Sequence, residues 1–134
     1  MLKRLHDLAE QRRTFAFETT LAARSYAPWI ETLRRNGFEF SLVFLWLRSS
    51  DLAVQRVRER VHAGGHDVAE ESIRRRYQRG LKNFWRLYRP LADRWAVYDN
   101  SRSSLPIIVA QGTRTGLDAV LDSDSWSEFR EISQ

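Results

Sequence analysis

The sequence predicts an α/β sandwich with a mostly parallel sheet, and three observations carry that reading. Apolar residues recur alternately at helical and at strand spacing along the chain, the pattern of helices packed on a sheet. The run Leu42 to Leu47 is apolar at every position, as in a strand buried on both faces between helices. A length of 134 residues with 43% hydrophobic content suits one domain with a real core.

Taken in order, Leu2, Leu5, Leu8 and Ala9 predict an amphipathic helix over 2–12. Thr14 to Thr19, with its aromatic and β-branched residues, reads as the first strand. Ser25 suits an N-cap and Pro28 a first helical turn, and Gly37 stops that helix after Asn36. Tyr26, Ile30 and Leu33 form its apolar stripe. Phe38 to Leu47 is the clearest strand. Ser49 or Ser50 then caps a helix in which Ala53, Val57 and Val61 repeat, ended by Gly64-Gly65.

A long helical region opens near Val68, with Glu70 and Glu71 in the first turn where the helix dipole favours anions. Ile73, Tyr77, Leu81, Phe84, Tyr88 and Leu91 form its apolar stripe, which Gly80 weakens and Pro90 bends or ends. Trp95 to Asp99 and Pro106 to Ala110 read as two short closing strands. Residues 1–110 are expected to form the α/β domain, with an Arg-rich hairpin at about 56–90. Residues 111–134 are expected to be an acidic tail, partly helical or disordered.

Composition narrows the function classes. With no cysteine, a disulfide framework, a thiolate zinc site and a cysteine nucleophile are excluded. His6, His62 and His66 are not spaced as metal ligands, so no metal site is expected. The first residues have no apolar stretch of signal-peptide type and no run is long enough to span a membrane, which predicts a cytoplasmic protein. The net charge of +5 is uneven, with thirteen basic and seven acidic residues over 48–102 but two and five over 111–134. A basic middle suits a polyanionic ligand, and equally a solvated helix face. With no helix-turn-helix or RNA-binding signature and no aromatics within the basic stripe, nucleic acid is not an expected partner.

Two groups of residues could carry chemistry. Ligands of open α/β sheets bind beyond the carboxyl ends of the strands. That rule points at Glu18, Thr19 and Thr20, a carboxylate and two hydroxyls that could hold a hydroxylated substrate or could merely cap the next turn. The second group lies between Arg56 and Asn83. Arg56 and Arg60 share a helix face. Arg74, Arg75, Arg76 and Arg79 follow Gly64-Gly65-His66-Asp67, so a glycine-hinged hairpin could close over phosphates. Arginine suits that task because its planar fork is permanently charged and pairs two oxygens at once.

These segments together resemble the zeta-toxin-like P-loop kinases, particularly their short chromosomal branch. The resemblance rests on Phe15-Ala-Phe-Glu-Thr-Thr-Leu21, Phe44-Leu-Trp-Leu47, Arg56-Val-Arg-Glu-Arg-Val61, Gly64-Gly-His-Asp-Val68, Ile73-Arg-Arg-Arg-Tyr77, Asn83-Phe84 and Tyr98-Asp-Asn-Ser101. It covers roughly residues 2–110, and more weakly Asp122 to Trp126. It implies a P-loop-NTPase-like parallel sheet flanked by helices, and transfer of phosphate from ATP to a small hydroxylated molecule such as a nucleotide-activated amino sugar. By the same resemblance Glu18 and Thr19 sit on the substrate side, Arg60, Arg75, Arg76 and Arg79 form the lid and phosphate group, and His66 and Asn83 shape the hinge.

The sequence departs from that family in one respect. Its glycines nowhere precede Lys-Ser or Lys-Thr, so the loop whose N–H groups cradle phosphates and whose hydroxyl binds magnesium is missing, as is the upstream carboxylate base. A truncated or degenerate kinase, inactive as given, is therefore expected. ATP and magnesium would enter only with an upstream phosphate loop; otherwise the partner is a nucleotide or phosphorylated small molecule. The sheet is expected to be incomplete at its N-terminal side, with an exposed edge that dimerises or a rearranged sheet. The alternative is a non-catalytic binding or regulatory protein on the same fold.

Overall fold

The computed structural model describes residues 2–102 and 104–134, the side chain of Leu2 excepted. Helix α1 (Leu2–Glu10) and helix α2 (Tyr26–Arg35) precede strand β1 (Ser41–Trp46). Helices α3 (Ser50–His62) and α4 (Glu70–Asn83) follow. A π-helical turn (Phe84–Tyr88) and a 3-10 turn (Arg89–Leu91) then lead into β2 (Arg94–Asp99). Strands β3 (Ile107–Thr113) and β4 (Gly116–Val120) and helix α5 (Ser123–Ser133) complete the chain.

The four strands lie in the order β1-β2-β3-β4. Only β1 and β2 are parallel; β2–β3 and β3–β4 are antiparallel, which corrects the expectation of a mostly parallel sheet. Connection length explains the difference. A parallel pair needs a crossover of a dozen residues or more, and α3 with α4 supplies it. Between β2 and β3 stand seven residues and between β3 and β4 only Arg114 and Thr115, so those pairs are hairpins. The architecture is mixed α/β.

Thr14 to Thr19 is not a strand. Its alternation is real, with Phe15 and Phe17 half-buried between exposed neighbours. Both rings pack on α2, at 6.0 and 6.2 Å from the Trp29 ring, and Phe17 lies 5.1 Å from Tyr26. Aromatic packing thus gives the segment its period of two without a hydrogen-bonding neighbour.

Residues 111–134 are ordered structure. They contain the end of β3, all of β4 and α5. Asp122 caps α5 by accepting from the Ser125 N–H at 3.2 Å. The helix buries Trp126 and Phe129 against the sheet. Phe129 touches the rings of Phe44, Trp46, Phe84, Trp85 and Trp126, all with centroids within 6.0 Å. Such pairs contribute about 0.5–1.5 kcal/mol each beyond the area they bury. The core therefore lies between one face of the sheet and α4, the π-helical turn and α5.

Local signals behave as the chemistry requires, with one exception. Ser49 caps α3 by accepting from the Leu52 N–H at 3.1 Å, and Gly37 closes α2 at a φ of 95°. Ser25 precedes α2 but makes no side-chain capping bond. Instead, α2 is anchored at its other end. Arg34 pairs both guanidinium nitrogens with Asp93, at 2.9 and 3.3 Å, and Asp93 also accepts the Phe40 N–H at 2.8 Å. The hydrogen-bonded Arg34 holds the Asp93 carboxyl below its ordinary range, against the opposing effect of burial.

Candidate functional site

Two polar clusters adjoin β1, one where its carboxyl end meets that of β2 and one along its length. In the first, Arg48 meets Asp99 at 3.1 Å, Ser125 Oγ at 2.7 Å and Glu128, while its ring neighbour Trp46 lies 5.0 Å beneath the guanidinium. Asp99 is 7% exposed. Burial alone would raise its pKa, yet hydrogen bonds from Ser101 and Arg48 bring it below the ordinary value. Each member satisfies another, so this cluster fastens α5 to the sheet and has no group left over for a ligand.

The second is a trough of about 1480 Å³ beside β1. One wall is the segment Thr14 to Leu21, another is β1 from Ser41 to Leu45, and α3 and α4 close the far end. It brings together Glu18, Thr19, Thr20, Arg60, His66 and Arg76, which the sequence scatters over 59 positions. Arg60 and Arg76 make no ion pair or side-chain hydrogen bond among the described residues. Arg56, also on the wall, donates to the carbonyls of Asn100 and Ser101 at 3.0 and 3.2 Å and so belongs to the frame.

The Glu18-Thr19-Thr20 corner is held by α4. Gly80 is buried, and a Cβ there would sit 2.5 Å from the Thr20 carbonyl oxygen, so only glycine lets the loop come this close. Asn83 Nδ2 donates to the carbonyls of Leu21 and Ala22 at 2.7 and 3.2 Å, and the Tyr88 hydroxyl donates to that of Ala23. Leu21 turns at a φ of 60°, a left-handed conformation costing about 1–2 kcal/mol for a residue with a side chain. Thr19 and Thr20 accept the N–H groups of Leu21 and Ala22, both at 3.3 Å. Their hydroxyl protons remain available to donate outward.

The remaining sequence candidates lie elsewhere. Arg75 and Arg79 are exposed on α4 away from the trough, Arg75 reaching only Ser72 Oγ at 3.4 Å. Asn83 stands behind the Glu18-Thr19-Thr20 corner as its clamp, not at the turn between α3 and α4. That turn is held by Arg74, which pairs with Asp51 at 2.7 Å and Glu70 at 3.3 Å, and by Arg58 with Glu70 at 3.4 Å. Gly80 is the close-contact residue that the helical periodicity conceals; its sequence signal is a glycine inside an otherwise strong helical stripe. Tyr77 is similar, read as apolar but donating its hydroxyl to the Leu47 carbonyl at 2.7 Å, with burial raising its pKa.

Among the described residues, no group of three histidine, aspartate or glutamate side chains could hold a metal ion. No described helix is long and apolar enough to cross a membrane. No family model and no solved structure matches the chain. The chain is similar to an uncharacterised protein of Haemophilus influenzae, 31% identical over 72 residues, a match spanning 54% of this chain and about half, 51%, of that protein's length.

Proposed function

We propose that this chain is a truncated or degenerate zeta-toxin-like kinase domain that binds a nucleotide or phosphorylated small molecule in the trough beside β1. One observation carries the reading: Glu18, Thr19 and Thr20 line the same cavity as Arg60, His66 and Arg76. Arg60 and Arg76 supply unpaired guanidinium forks for phosphate oxygens. Glu18 and the two threonine hydroxyls supply a carboxylate and donors for a hydroxylated acceptor. Arg60 and Arg76 suit the phosphates of ATP, and with no group of three His, Asp or Glu side chains placed for a metal ion among the described residues, no transfer step is assigned.

The test is calorimetric titration of the 134-residue chain with ATP, ADP and a uridine-diphosphate amino sugar. Binding should weaken about tenfold or more in Arg60→Ala and Arg76→Ala, since a charge-assisted hydrogen bond contributes about 1.5–3 kcal/mol. Arg79→Ala should leave it unchanged. Silence from all three ligands at millimolar concentration would remove the kinase reading. The second reading, a non-catalytic binding or regulatory protein on this fold, is favoured by the free edge of β1, which an enzyme of small molecules has no need to leave open.

A further inference from the structure

Strand β1 ends the sheet, and its outer edge is open in a defined pattern. The Phe40 carbonyl accepts from Asp93 and Arg94, and the Trp46 carbonyl from Asn100, so the even-numbered residues bond towards β2. The N–H and C=O groups of Ser41, Val43 and Leu45 therefore point outward. All three residues line the trough, and the side chains of Val43 and Leu45, which stand at right angles to that edge, are 60% and 53% exposed. Across the trough, residues 14–20 make no backbone–backbone hydrogen bond among the described residues. Two stretches of backbone thus border one cavity, each with its hydrogen-bonding groups unmet. Unpaired backbone that loses water on burial costs as much as a lost hydrogen bond, so such a pair of edges is a template for a strand.

Volume and charge identify the occupant. At about 1480 Å³ the trough exceeds the range of about 300–1,000 Å³ usual for small-ligand clefts. Its walls are largely apolar, from Phe15, Phe17, Trp29 and Val43, and basic at the end of β1, where Arg60 and Arg76 stand without acidic partners. We infer that the trough receives an extended segment of another polypeptide, six to eight residues long, which adds to the edge of β1. It runs parallel to β1, with apolar β-branched or aromatic residues at alternate positions and an acidic residue at its carboxyl end against Arg60 and Arg76. Main-chain bonds supply affinity and alternate side chains supply selectivity, as in other strand-addition complexes. The inference does not rest on the kinase reading, although both draw on the two arginines.

Panning a random octapeptide library on the full chain, then measuring the selected peptides by fluorescence polarisation, tests it. Selected peptides should show the alternating apolar pattern with a carboxyl-side acid. Methylating alternate backbone nitrogens should weaken them about tenfold or more, and methylating the intervening ones should not. Val43→Pro removes one outward N–H without touching the β2 ladder, as proline on an edge strand permits. It should abolish peptide binding while leaving the urea midpoint and far-UV spectrum of the chain unchanged, and Arg76→Ala should weaken binding of peptides that carry the carboxyl-side acid but not of peptides that lack it. Failure to enrich peptides, or peptides indifferent to N-methylation, overturns the inference. So does a sedimentation dimer that Val43→Pro converts to monomer, because the occupant is then a second copy of the chain.

Discussion

Leu42, Phe44 and Trp46 of β1 point into a cluster of aromatic rings, while Val43 and Leu45, interleaved with them, are 60% and 53% exposed. The two sides of one strand thus have opposite characters. On the first, α5 and the π-helical turn bury Phe129, Trp126 and Phe84. On the second, apolar side chains stay exposed beside unpaired backbone. The contrast teaches where stability resides: burial is complete on one side, and the other keeps apolar surface and backbone hydrogen-bonding groups exposed.

Breaking the packed side should have the largest effect. Phe129 is fully buried, and Phe129→Ala should destabilise the chain by about 3–5 kcal/mol in urea unfolding, and release α5. If the loss were under about 1 kcal/mol, α5 would be an appendage and the contrast would fail. Gly80→Ala comes next and joins the two sides. Alanine for glycine in a helix interior ordinarily stabilises by up to about 1 kcal/mol. Here the Cβ meets the Thr20 carbonyl, so a loss of about 1–3 kcal/mol is expected, with weaker ligand binding from the displaced Glu18-Thr19-Thr20 corner.

Asp93→Asn should cost about 1.5–3 kcal/mol, the range for hydrogen bonds to charged groups, and towards its lower end because the side chain is 26% exposed. Its pH signature sharpens the assignment. The folded carboxyl titrates below its unfolded value, so its stabilisation is present above the unfolded pKa and lost as pH falls through the folded one. Urea midpoints measured over that acid range should lose this slope in Asp93→Asn. The smallest stability effects belong to the open side. Arg60→Ala and Arg76→Ala should change stability by no more than about 0.5 kcal/mol while reducing anion binding, which separates a binding surface from a structural one.

Much of the local structure was legible in the residues. The Ser49 cap, the Gly37 stop and the buried stripe from Ile73 through Leu81 and Phe84 to Tyr88 follow from near-neighbour chemistry. The apolar run of β1 misled on its surroundings: an apolar residue at every position predicted burial on both faces, yet Val43 and Leu45 are 60% and 53% exposed because helices cover only the other face of the sheet. For the tail the sequence allowed a helix or disorder, because Asp118, Asp122 and Asp124 dominate its composition; two aromatic residues three apart, Trp126 and Phe129, decide that it docks as a helix. Of the candidate site, the residue types were legible. Which arginines share a cavity with Glu18 was not, because Arg75 and Arg76 adjoin in sequence and point about 100° apart on a helix.

By itself, then, the sequence determined the helices, the core stripe, the absence of thiol chemistry and the pool of carboxylate, hydroxyl and guanidinium groups. These depend on residues within a turn or two of one another. Only the tertiary structure decided the sheet, because the sense of each pairing follows from how far the chain must travel before it returns. Packing likewise made Thr14 to Thr19 a wall and not a strand, and set Gly80 against Thr20 so that Glu18 lines the same trough as Arg60 and Arg76. Contacts between residues some sixty positions apart are fixed by what the folded chain leaves room for, and no local pattern encodes that.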